Sequence, residues 1–223
     1  MNIFDIVGPV MVGPSSSHTA GAVRIGRVSR LLLGEKPVKA VIGLHGSFRA
    51  TGRGHGTDRA LVAGLLGMKV DDPRIPDSFQ IAGEEGLDFV FRDIDLQDAH
   101  PNTAKLNLTG VSGRRLETVC SSVGGGRIQV DEIDGLKAGF SGEQPTLVVN
   151  NVDRPGYVTE VTRILAAGGI NVAKMKLNRD RRGGAAVMVL ECDTEIPESV
   201  LRKIRDLPGI TKITSLSLEE QHV

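Results

Sequence analysis

Cysteine is scarce in this 223-residue chain: Cys120 and Cys192 are the only two, far apart and outside any CxxC or Cys/His spacing. That excludes a disulfide framework and argues against a zinc or iron–sulfur site built by this chain alone. Net charge is absent too. The 27 basic side chains balance 27 acidic ones, so the chain lacks the basic excess that nucleic acid or an anionic membrane calls for. No apolar run reaches the roughly 18 residues that a spanning helix needs. The opening Met1–Ile6 carries Asp5 where a secretory signal would carry Lys or Arg, so the expected compartment is the cytoplasm. Internal repeats and low-complexity tracts are missing as well. What is present is an ordinary globular composition, 40% apolar, with length enough for one large core or two small ones.

Two features divide the chain. Of the 5 histidines, all but His222 fall in the first hundred residues. A soft stretch, Gly135–Pro145, rich in Gly and Ser, reads as a linker or an irregular crossing. The expected domains are therefore 1–143 and 144–223, in an α+β chain.

The second half follows a clear pattern. Thr146–Val152 is a strand by its β-branched content, and Asp153-Arg-Pro-Gly156 is a turn whose Asp can cap the next helix. Val158, Val161 and Leu165 make that helix's apolar face, and Gly168-Gly169 stops it. Ala173, Met175 and Leu177 alternate with Lys174, Lys176 and Asn178, which predicts a strand with one buried and one wet face. Ala185–Glu191, apolar on both faces, reads as a central strand. Pro197 opens a helix with Val200, Leu201, Ile204 and Leu207 inward, and Ile210–Leu218 ends the series as a strand. The order is βαββαβ, a split βαβ sandwich of the ferredoxin-like kind.

This half, roughly Pro145 to Leu218, resembles an ACT domain in its strand, its Asp153-Arg-Pro-Gly156 turn and its Gly-Gly-Ile-Asn-Val172 helix end. The resemblance implies an amino-acid effector site made by Asp153, Pro155, Gly156 and Asn171, and association of like domains. Backbone N–H groups at a helix N-terminus suit a carboxylate. The plain alternative is that Asp153 merely caps and Asn171 merely turns the chain.

The first half is less regular and its motifs are sharper. Gly13-Pro-Ser-Ser-Ser-His-Thr19 precedes a helical run through Ala22, Val23, Ile25, Gly26, Leu32 and Leu33 that ends at Gly34. Capping needs one Ser or Thr. Three serines, a histidine and a threonine exceed that need and could hold a carboxylate or phosphate. Val38–Leu44 reads as a strand leading into the glycine-rich His45–Gly56 loop, where His45, Arg49, Arg53 and His55 offer acid/base and anion contacts. Thr57-Asp58 then caps a helix through Leu61, Leu65 and Leu66. Further on, His100-Pro-Asn-Thr103 lies between two strands, Phe89–Phe91 and Lys105–Leu108. Arg115–Ser122 and Arg127–Ile133 form a hairpin around Gly124-Gly-Gly126, which is either a plain turn or an anion nest.

Taken together, Gly-Pro-Ser-Ser-Ser-His-Thr, Leu-His-Gly-Ser, Gly-Arg-Gly-His-Gly-Thr-Asp-Arg-Ala-Leu, His-Pro-Asn-Thr and Ser-Val-Gly-Gly-Gly closely resemble the β subunits of iron–sulfur-dependent L-serine dehydratases. The first half is also similar to the substrate-binding domain inserted in some phosphoglycerate dehydrogenases, which lacks the triple-serine histidine motif. The resemblance implies an N-terminal α/β substrate-binding domain and a β-elimination of L-serine to pyruvate and ammonia. It implies a [4Fe–4S] cluster held by a separate α subunit, with no metal ligand in this chain. By the same resemblance Ser15, Ser16, Ser17 and Thr19 would hold the serine carboxylate. His18 and His55 would take the α-proton or assist hydroxyl departure, Asp58 would fix a histidine tautomer, and His100 with Asn102 would complete the polar wall. A different class of function, a non-catalytic amino-acid sensor with two ligand-binding modules, is the alternative. Neither reading involves nucleic acid or a membrane.

Overall fold

The computed structural model of the protein describes residue 13 and residues 15–52 and 54–218. The opening hexapeptide, Arg53 and His222 lie outside the described residues. The chain forms two compact units, Met1–Gly135 and Leu136–Val223.

In the first unit, a π-helical turn at Ser16–Ala20 runs directly into α1, Gly21–Leu33. One side of α1 is closed off by Ala22, Val23, Ile25, Val28, Leu32 and Leu33, all buried. Gly34 ends it in the left-handed conformation at φ 79°, donating its N–H to Arg30 O. Strand β1, Pro37–Leu44, is followed by α2, Gly46–Thr51, and α3, Thr57–Leu65. A 3-10 turn, Ile75–Asp77, leads into α4, Ser78–Glu84, and then β2, Asp88–Asp93. This helical crossover lets β2 lie parallel to β1. Strands β3 (Thr103–Gly110), β4 (Arg115–Gly124) and β5 (Arg127–Ile133) continue the sheet antiparallel, in the order β2-β1-β3-β4-β5.

Two contacts fix α1 in place. Its Ser29 hydroxyl meets Thr118 Oγ1 of β4 at 2.9 Å, both groups buried. On its other flank α1 crosses α3 at Gly26 and Gly64. A Cβ on Gly64 would stand 2.1 Å from Val23 O, and one on Gly26 would stand 2.3 Å from Leu61 O. Only glycine allows so close a crossing.

In the second unit, β6 (Leu136–Phe140) is followed by β7 (Thr146–Val152), α5 (Tyr157–Ala167), β8 (Val172–Arg179), β9 (Ala185–Cys192), α6 (Glu198–Arg205) and β10 (Ile210–Leu216). From β7 onward this is the expected βαββαβ order, with an antiparallel sheet β10-β7-β9-β8 and β9 central. Leu147 and Val149 of β7 join Met188, Leu190 and Cys192 of β9 under Val161, Leu165, Val200 and Ile204 of the two helices.

Three expectations are corrected. The Gly135–Pro145 stretch is not only a linker: it holds β6, whose Ala138 and Phe140 are buried. Asp153 does not cap α5, because Gly156 occupies that position at φ 95°. Its carboxylate instead accepts from Arg179 Nη1 at 2.6 Å and from Gly183 N at 3.0 Å, tying down the β8–β9 turn. The two faces of β8 are covered the other way round. Met175 and Leu177 are exposed at 44% and 45%. They pair with Leu190 and Met188 on the helix side of the sheet, where the edge strand lies beyond the helices' cover. On the opposite side Lys176 Nζ donates to Gly139 O and Asn178 Nδ2 donates to Lys137 O, so the polar side chains are the ones engaged, against β6.

Candidate functional site

The Ser15–Thr19 motif is folded into the helix rather than lying before it. Ser15 caps the π-helical turn: its Oγ accepts from His18 N at 3.2 Å and its carbonyl accepts from Thr19 N at 2.8 Å. Ser16 and Ser17, half-buried, sit in the first turn, where backbone N–H groups have no intrahelical acceptor. π-Helical turns inside helices are frequent at functional sites, and this one presents His18 toward α2.

Three segments converge on the His18 ring. Its Nε2 lies 3.2 Å from Ser47 Oγ and 3.1 Å from Thr51 Oγ1, both on α2. Its Nδ1 lies 3.5 Å from Ser15 Oγ. The His55 ring stands edge-on at 5.0 Å between centroids, and buried Phe48 closes another side at 5.4 Å. Thr19 Oγ1, itself buried, donates to His55 O and so ties the end of the glycine-rich loop to the π-helical turn. Burial pushes the His18 pKa below the ordinary imidazole value and the neighbouring His55 pushes it the same way, with the Ser47 carbonyl opposing both. A half-buried imidazole held neutral beside an exposed one is suited to taking a proton at neutral pH.

The other predicted residues are placed as follows. His45 accepts from Leu96 N through Nδ1 at 3.2 Å, a structural role. Arg49 pairs with Asp95 at 2.8 Å. Asp58 lies in the first turn of α3, with Gly56 as the cap at φ 70°, and its carboxylate accepts from Arg59 N. The expected Thr57-Asp58 side-chain cap is therefore not formed. Hydroxyls, rather than Asp58, hold the His18 ring. His100 is exposed and turned onto its own loop, with Nδ1 accepting from Asn102 N at 3.1 Å. Asn102 O accepts from Ser122 N. This loop nevertheless backs the site, since Pro101 O accepts from Ser47 N at 2.7 Å and Gly46 (φ 56°) lies against Pro101. Gly124, Gly125 and Gly126 all take positive φ and form the β4–β5 turn. In the second unit Asn171 Nδ2 donates to Asp193 at 2.6 Å, and Pro155 and Gly156 lead into α5.

Sequence reasoning missed Ser47 and Thr51. Their i, i+4 spacing puts both on one face of a helix, but the His45–Gly56 segment reads as a loop because of its glycines. Asn151, buried at the end of β7 with Oδ1 unpartnered, was not singled out by the sequence either.

No described residues form a group of three or more His, Cys, Asp or Glu able to hold a metal. Both cysteines are free and buried, Cys120 in the first unit and Cys192 in the second. Burial pushes the Cys120 thiol up to about 12 and raises Cys192 as well. These thiols do not fit the ligand set of an iron–sulfur cluster, which needs thiolates.

The comparisons with known proteins bear on the whole chain. Residues 2–83 match the family model described as serine dehydratase beta chain, and residues 146–209 match the ACT domain. The "Probable L-serine dehydratase, beta chain" of Bacillus subtilis (strain 168) is 42% identical over 97% of this chain and 98% of its own. The chain belongs to the serine dehydratase beta chain family. A second relative in that family, the L-serine dehydratase beta chain of Peptoniphilus asaccharolyticus, is 34% identical over 97% of each chain. A D-3-phosphoglycerate dehydrogenase of Methanocaldococcus jannaschii is 29% identical over 51% of this chain and 22% of its own. As a serine dehydratase beta chain, this protein carries its ACT domain in the second unit. The histidine cluster lies in the first, inside the span that the family model covers.

Proposed function

We propose that this beta chain is the substrate-gripping half of an L-serine dehydratase, a lyase that converts L-serine to pyruvate and ammonia. The observation that carries the reading is the His18–His55 pair, ring to ring at 5.0 Å, beside the hydroxyl-rich first turn at Ser15–Thr19. The serine carboxylate docks at Ser16, Ser17 and the free N–H groups of that turn, with Ser15 and Thr19 shaping it. Neutral His18 takes the α-proton and His55, exposed and in line with solvent, assists departure of the β-hydroxyl. Loss of that proton and that hydroxyl leaves an enamine, which gains a proton on carbon and is hydrolysed to pyruvate and ammonia. Asp58, His100 and Asn102 act through the loops that frame the cluster.

The described residues here do not fit a [4Fe–4S] cluster; a separate α chain would hold it, and it would supply a Lewis acid for the hydroxyl. The assembly is cytoplasmic. The test is anaerobic co-production with an α chain, followed by a pyruvate assay on L-serine. His18→Ala and His55→Ala each lower turnover at least about a hundredfold. Absence of pyruvate from the intact assembly refutes the reading, and wild-type turnover in both variants removes the pair from it.

The ACT domain supplies regulation and self-association in this reading. An amino-acid carboxylate sits at the N-terminus of α5, near Gly156 and Pro155. Asp153 and Asn171 act by holding the surrounding turns, to Arg179 and Asp193. Exposed Met175 and Leu177 on edge strand β8 make the contact between copies. Replacing both with Glu lowers the mass seen by light scattering, and an unchanged mass rejects that edge.

A further inference from the structure

We propose that Ser47 and Thr51 are positioning residues that hold neutral His18 as its Nε2–H tautomer, which makes Nδ1, beside Ser15, the atom that exchanges a proton with substrate. The proposal rests on the acid–base role given to His18 above and adds the atom and the residues that choose it.

The assignment follows from counting hydrogens. A threonine hydroxyl has one, and Thr51 spends it on Ser47 O, accepted at 2.9 Å within α2. Toward His18 Nε2, 3.1 Å away, Thr51 Oγ1 can then offer only a lone pair. A second lone pair on Nε2 would repel it, so Nε2 carries the hydrogen. Ser47 Oγ, 3.2 Å from the same nitrogen, is a further acceptor for it. The Ser47 carbonyl favours the protonated ring, as a nearby acceptor for a ring N–H does. A neutral imidazole has one N–H, so Nδ1 is left bare.

The other side of the ring agrees. Ser15 Oγ accepts from His18 N at 3.2 Å, which leaves its own hydrogen for Nδ1 at 3.5 Å. The donors then run in one direction, from Ser15 O–H to Nδ1, from Nε2–H to Thr51, and from Thr51 O–H to Ser47 O. The contact at Nδ1 is the longest of the set and therefore the weakest, so Nδ1 is the easier nitrogen to yield to a ligand. His55 at 5.0 Å and Phe48 at 5.4 Å flank the ring and oppose its turning over.

Nitrogen-15 NMR of the full-length labelled chain, at about pH 7.5 where an imidazole is neutral, reads the tautomer directly from ring N–H couplings. The expected result is Nε2–H for His18 in the wild type and in Thr51→Ser, and a mixture with substantial Nδ1–H in the Ser47→Ala/Thr51→Val double variant. In the αβ assembly that double variant lowers kcat at least about tenfold with little change in KM, whereas Thr51→Ser, which keeps the hydroxyl, leaves kcat near normal. Nδ1–H in the wild type, or an unaltered tautomer in the double variant, overturns the proposal. So does wild-type kcat in a double variant whose tautomer has changed. Full turnover in His18→Ala would instead remove the catalytic role while leaving the tautomer result standing, so the two failures are distinguishable.

Discussion

Replacing Gly64 with Ala tests whether the site depends on the close crossing of α1 and α3. The added Cβ would lie 2.1 Å from Val23 O and 2.8 Å from Gly26 Cα, both backbone atoms that no rotamer change can move aside. Ordinary contact requires the two helices to part by roughly 1 Å, against a core in which Ile25, Leu32, Leu61 and Leu65 are fully buried. Overpacking of this kind costs about 1–3 kcal/mol. For a chain of this size that lowers Tm by roughly 2–12 °C. The matched control is Gly83→Ala in α4, where an added Cβ meets nothing within 4 Å and φ is not positive. That change should raise stability by about 0.4–1 kcal/mol through the unfolded chain. Urea and thermal melts followed by circular dichroism read both. Because α1 carries the π-helical turn, Gly64→Ala should also depress turnover by more than its loss of folded protein explains, since small misplacements of catalytic groups are costly. A Gly64→Ala protein that melts with or above the wild type would refute the argument.

Titration of His18 by ring-proton NMR should give a midpoint below the ordinary value. His55→Asn should raise that midpoint part of the way back, because the neighbouring charge is the smaller cause and burial remains. The unfolded chain then binds the proton more tightly than the folded one. His18 thus subtracts stability as pH falls from about 6.5 to the folded midpoint and adds nothing above that window; a midpoint at or above 6.5 contradicts this. Ser122 Oγ is buried without a partner, close to where Gly21 passes. Ser122→Ala should therefore stabilise the protein by about 1 kcal/mol, read by urea denaturation, and a loss of stability would count against the hydroxyl being unsatisfied.

The βαββαβ order was legible because each element carries its own punctuation: β-branched runs at Thr146–Val152 and Ala185–Glu191, Gly168-Gly169 and Pro208-Gly209 as stops. Alternation in β8 correctly put Met175 and Leu177 on one face. It did not say whether anything covers that face, which depends on how far α5 and α6 reach. Strand β6 was hidden by its glycine- and serine-rich surroundings, although Ala138 and Phe140 carry a short alternating signal. In the first unit, the serine–histidine motif and His55 were singled out because hydroxyls and imidazoles exceed what capping requires, and the fold brings them together. The partners on α2 were not readable, because a helix of six residues flanked by glycines leaves almost no periodicity to detect. Asp58 and Asp153 were both read as caps from composition, and in both cases a glycine with positive φ takes that position instead.

Among the described residues, every side chain hydrogen-bonded to the His18 ring, and both rings that meet it edge-on, come from the stretch between Ser15 and His55. The immediate surroundings of that ring are thus one contiguous stretch of the polypeptide, backed from outside it by the Pro101 loop. Replacing the ACT module, residues 146–209, would leave all of those bonds in place.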